Sequence, residues 1–114
     1  MNLFLDYQIK IFNYLKKLEK KNVINISNSL KNLTVELPPK KQKTDISCNV
    51  AMILAKANNT SPIKLAEILQ KHLLLKFKEF KNIDVAGPGF LNIHFHISFW
   101  KKYKSFKISS EYPI

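Results

Sequence analysis

Phe90 and Asn92 are the residues of this chain best equipped to touch a ligand, and a strand would set them side by side. Side chains alternate between faces along a strand, so Phe90, Asn92, His94 and His96 share one face and Leu91, Ile93, Phe95 and Ile97 the other. The second set reads as core. The first is polar except for Phe90, a large ring on a face that water should wet. An aromatic beside an amide can hold an unstacked base: the ring stacks on the base plane, and the amide offers a donor and an acceptor to its edge. The competing reading makes Phe90 the edge of a satellite apolar cluster, covered by a helix or loop.

Other chemistry is sparse. His94 and His96 could offer two imidazoles to a metal, but zinc needs a third or fourth ligand and His72 falls in a helical segment, so no metal site is expected. The 8 acids are scattered, with no acid–base pair at local spacing. There is no Gly-rich phosphate loop and no paired-cysteine spacing. No catalytic residue and no cofactor are therefore expected for this stretch of chain. Cys48 is alone and lies in an apolar segment, so it reads as a small core residue. A lone cysteine excludes an internal disulfide and fits a reducing, cytoplasmic setting.

The elements that must position Phe90 and Asn92 begin with the turn Gly87-Pro88-Gly89-Phe90, with Pro88 at its second position and Gly89 free to take positive φ. It joins a short strand, Ile83 to Val85, to the strand running from Phe90 to about Ile97. Upstream, Phe4, Tyr7, Ile11, Tyr14, Leu15 and Leu18 predict an amphipathic helix over Leu3 to Lys20. Its lysines off that stripe suit either a solvated outer face or a basic helix for membranes or phosphates. Asn22 to Asn32 reads as a loop, with room for a short helical turn. Leu33 to Leu37 alternates as a strand that Pro38 and Pro39 stop, and Lys40 to Lys43 form a basic loop. Asp45 is a plausible N-cap for a helix to about Ala57. Ser61 and Pro62 open another, with Ile63, Ala66, Leu69, Leu73 and Phe77 as its buried stripe. Ser98 can cap a last short helix containing Trp100 and Tyr103. The order implies an α+β fold, a small antiparallel sheet with helices on one face.

The chain has 114 residues, enough for one core. Its formal net charge is +11 and its pI about 9.8, which favours a polyanionic partner. All 19 basic residues are lysine. Lysine supplies point charges and not the bidentate forks that read base edges, so lysines should contact phosphates while other residues discriminate bases. Asp6 interrupts the apolar start, which argues against a signal peptide, and no apolar run approaches a membrane span, so no membrane partner is expected.

With Asn49-Val50-Ala51-Met52-Ile53-Leu54-Ala55-Lys56, the Pro-led Pro62-Ile63-Lys64-Leu65-Ala66-Glu67-Ile68, and Ala86-Gly87-Pro88-Gly89-Phe90-Leu91-Asn92, the chain resembles the N-terminal additional domain of arginyl-tRNA synthetases. The likeness runs from Leu3 to about Phe106. It implies an α+β domain with a four-stranded antiparallel sheet that grips the D-loop corner of an arginine-accepting tRNA. Carried over residue by residue, it implies that Phe90 and Asn92 contact a splayed D-loop base, with Gly87, Pro88 and Gly89 supporting them. It further implies a parent enzyme that uses ATP and arginine, with a catalytic domain in the same polypeptide. The ATP-site signatures of that enzyme are absent from this chain. Residues 1–108 then form the domain, and 109–114 a tail or the start of a linker. One departure is Thr44-Asp45, where the family usually has Gly-Asp, so no contact is carried over from the lysine loop. Without the resemblance, a free-standing RNA-binding or ribosome-associated module and a protein-interaction domain remain open.

Overall fold

A computed structural model describes residues 3–37 and 44–102. Pro38, Pro39, the Lys40 to Lys43 loop, Tyr103 and the boundary expected near residue 108 lie outside these residues.

The first helix, α1, spans Leu3–Lys20 as its apolar stripe predicts, with Tyr7, Ile11, Leu15 and Leu18 buried. It ends where Asn22 takes a left-handed φ of 60° and the Val23 amide donates to the Leu18 carbonyl. That backbone cap is one asparagine tolerates. A 3-10 turn over Asn28–Asn32 follows. Strand β1 is only Val35–Glu36, and Leu37, expected on the core side, is 72% exposed.

The helix expected from Asp45 is instead three short elements. These are strand β2 (Ile46–Cys48), helix α2 (Val50–Leu54) and a 3-10 turn over Lys56–Asn58. Asp45 caps no helix: its carboxylate accepts from the Phe95 amide at 2.7 Å, and its own amide donates to the Ile93 carbonyl at 3.1 Å. The longer helix α3, Pro62–Lys76, starts as expected, with the Ser61 hydroxyl accepting from the Lys64 amide. Within its stripe Leu65 replaces Ile63, which is 48% exposed.

Strands β3 (Phe80–Ala86) and β4 (Phe90–Phe95) form the hairpin. β3 is longer than the alternation at Ile83 and Val85 implied. A register shift between Phe80 and Asn82 rephases the strand, so Phe80 and Ile83, three apart, both point inward. β4 stops at Phe95. Ile97 is 74% exposed and begins a helical stretch over 97–102, so Ser98 lies inside that helix and does not cap it.

The sheet runs β1-β2-β4-β3, with every pair antiparallel. The helices cover the face carrying Val35, Ile46, Cys48, Ile83, Leu91, Ile93 and Phe95, all buried. An aromatic cluster closes the end of the core remote from the hairpin tip. The Tyr7 ring lies 5.0 Å from Phe95 and 5.6 Å from Phe80, and Phe99 stacks on Phe95 at 4.2 Å. Such ring pairs each add about 0.5–1.5 kcal/mol beyond their burial.

Candidate nucleic-acid interface

The hairpin tip turns one position earlier than the sequence reading placed it. The Gly89 amide donates to the Ala86 carbonyl at 3.1 Å, so Gly87, not Pro88, is second in the turn. Gly87 has φ +54° and Gly89 φ +132°, and the second value is open in practice only to glycine. Gly89 is buried against Pro62, the first residue of α3. A Cβ at Gly87 would lie 3.8 Å from Phe90 Cδ2, so the Phe90 ring folds back beside the turn. The glycine-rich tip and the proline-led helix are thus one packed unit that sets the orientation of β4 where Phe90 begins it.

Phe90 is 38% exposed and belongs neither to the buried core nor to the half-buried residues packed on it. It pairs with Ala86 across the hairpin, and that small neighbour leaves room beside the ring. Asn92, two residues on and on the same face, is 5% exposed, the one buried polar residue among those described. The face was expected to be wetted throughout, and at Asn92 it is not. β4 is an inner strand, so Asn92 has Ser47 opposite it on β2 and Asp84 opposite it on β3. Phe90 and His94 flank it along its own strand.

His94 continues the face, with Nε2 3.2 Å from the Asp84 Oδ2. His96 lies beyond the strand end, its amide donating to the Glu79 carbonyl. Among the described residues no three of His, Cys, Asp and Glu gather where they could hold a metal ion. Cys48 is fully enclosed, and burial pushes its thiol up to about 12, which leaves it a poor nucleophile near neutrality. Every described lysine is exposed, so these ammonium groups are open to solvent. No described helix is long and apolar enough to cross a membrane.

Alternation alone sets Phe90 and Asn92 on one face of β4, as the structure has them. It missed Pro62, whose contact with Gly89 connects residues far apart in sequence, and Asp84, whose place beside Asn92 and His94 depends on hairpin register.

An antiparallel hairpin with a glycine-rich tip, seated on a proline-led helix, completes a small α+β domain with a lysine-rich surface. The chain belongs to the arginyl tRNA synthetase N terminal domain family, whose model matches residues 10–95. It is similar to the arginine–tRNA ligase of Pelagibacter ubique (strain HTCC1062), 40% identical over 103 residues, covering 90% of this chain and 18% of that protein. It is 40% identical over 100 residues to the arginine–tRNA ligase of Wolbachia pipientis wMel, covering 88% of this chain and 17% of that protein. The arginine–tRNA ligase of Agrobacterium fabrum (strain C58 / ATCC 33970) is 36% identical over 104 residues, covering 90% of this chain and 17% of that protein. The chain therefore spans less than a fifth of the length of these curated relatives.

Proposed function

We propose that this chain is the tRNA-contacting part of an arginine–tRNA ligase, holding the D-loop corner of an arginine-accepting tRNA while a catalytic domain of the same polypeptide aminoacylates it with ATP and arginine. The observation that carries this reading is a half-open Phe90 beside a rigid glycine turn, in a chain of this family. Phe90 stacks on an extruded base, which is worth about 1–3 kcal/mol. Asn92 has little open surface, so its amide meets a base edge only where the nucleotide is drawn in beside the Phe90 ring. The surface lysines supply phosphate attraction that weakens as salt rises. Binding energy spent this far from the reacting atoms holds the acceptor end in a productive pose. The buried thiol of Cys48 suits a cytoplasmic protein.

Affinity for arginine tRNA tests the reading. Phe90→Ala should weaken binding about 5- to 150-fold, the equivalent of one lost base stack, and more than any single Lys→Ala. Equal losses for the two kinds of substitution would remove the stacking role.

A further inference from the structure

A second basic feature lies at the other end of α3 from the hairpin tip. A cleft of about 310 Å³ opens between α1 and the C-terminal end of α3, with Lys10, Asn13, Tyr14 and Lys17 on one side and Lys76 and Glu79 on the other. Two of its lysines rest on aromatic rings. Lys10 Nζ stands 4.8 Å from the Tyr7 ring centre, and Lys76 Nζ 5.9 Å from that of Tyr14. A cation over a ring face is attracted to it, which restrains a side chain that would otherwise sweep through solvent.

The other polar groups are partly committed. The Tyr14 hydroxyl donates to the His72 carbonyl at 3.2 Å, so its ring forms the wall of the cleft. The carboxylate of Glu79, the one acid lining the cleft, accepts from the Tyr7 hydroxyl at 2.6 Å. Three ammonium groups then face one carboxylate, and the Asn13 amide adds a neutral donor. A concave site with a net positive charge and no guanidinium suits phosphate oxygens better than base edges.

We propose that this cleft binds the phosphodiester backbone of the same RNA that the hairpin contacts, giving the domain a second point of attachment. The inference rests on the reading that the partner is tRNA. Pro62, against which the hairpin tip packs, and Lys76 are at opposite ends of α3, about 21 Å apart at 1.5 Å per residue. An RNA held at both points therefore reaches from the sheet face that bears Phe90 to the helical side of the domain, over a span on the order of the length of α3.

The salt dependence of binding separates the two attachments. The 114-residue chain is titrated with arginine tRNA and with a 20-nucleotide single-stranded RNA over a salt series, about 50–200 mM, in which phosphate contacts show clearly. The proteins are wild type, Phe90→Ala, a triple variant of Lys10→Gln, Lys17→Gln and Lys76→Gln, and a charge-matched control of Lys31→Gln, Lys56→Gln and Lys101→Gln. Glutamine keeps most of the stem, and circular dichroism checks that each variant folds.

The cleft variant should flatten the slope of log K against log salt for tRNA by about 2–3, at roughly 0.7–0.9 per phosphate contact. The control should flatten it by less than half as much. Phe90→Ala should lower affinity while leaving the slope unchanged. Equal flattening by cleft and control variants would overturn the cleft and leave a uniformly basic surface. A Phe90 effect with no cleft effect would remove the cleft alone. A cleft effect on both RNAs with no Phe90 effect would keep the cleft and remove the base-stacking reading. No binding of either RNA by wild type would overturn both.

Discussion

Gly89 and Pro62 are built against each other. A Cβ placed on Gly89 would lie 2.9 Å from the Pro62 Cβ and 3.2 Å from the Pro62 carbonyl carbon and oxygen. Neither partner can give way, since one is backbone at a turn and the other a ring at a helix start. The contact ties the end of β4 that bears Phe90 to the rigid N-terminus of α3, so Phe90 is presented from a fixed support.

Gly89→Ala should consequently cost about 3 kcal/mol or more, from a φ that L-residues avoid together with a backbone clash. Gly87→Ala meets nothing closer than 3.8 Å and has a left-handed φ, so it should cost about 1–2 kcal/mol. Urea unfolding of both variants checks the ranking. Equal costs would mean that the Pro62 contact contributes nothing.

Asn49 joins the segment before β1 to the end of β2. Its Oδ1 accepts from the Thr34 amide at 2.8 Å and its Nδ2 donates to the Asn32 carbonyl at 3.1 Å. Asn49→Ala should destabilise the domain by about 1–3 kcal/mol, since it strips a partner from the half-buried Thr34 amide. Asn49→Asp keeps the acceptor and should cost less. Chemical denaturation gives both values, and the reverse order would show that the donor side dominates.

Much of the architecture was written in long-period patterns. The stripes of α1 and α3 span enough turns to leave no other reading, and Ser61-Pro62 marks a helix start by local chemistry alone. The segment from Asp45 to Ala57 misled because Ile46, Val50, Ile53 and Leu54 have helical spacing while Ile46 and Cys48 also alternate. A strand of three residues is decided by its partners, here Leu91 to Ile93 on one side and Val35 to Glu36 on the other. The candidate site shows the same division. Alternation put Phe90 and Asn92 on one face, but only the strand order makes β4 an inner strand and so encloses Asn92.

Cys48 gives the stability a pH dependence of definite sign. Its folded pKa, about 12, is above that of an unfolded thiol, so the folded chain retains a proton that the unfolded chain releases. The contribution is complete below about pH 8.5 and is lost as pH rises toward the folded value, by about 1.4 kcal/mol per pH unit. Comparison with Cys48→Ala cancels the titration of the lysines. The stability difference between the two proteins should narrow above about pH 9; a constant difference up to pH 11 would contradict the enclosure of this thiol.

The account depends most on whether Phe90 reads RNA. The direct measurement is a binding titration at moderate salt of wild type and Phe90→Ala, each with arginine tRNA and with an unrelated tRNA. The account predicts that wild type prefers arginine tRNA and that Phe90→Ala abolishes the preference while retaining salt-sensitive binding to both. Binding that is equal for the two tRNAs and indifferent to Phe90 would contradict it, leaving only a basic surface.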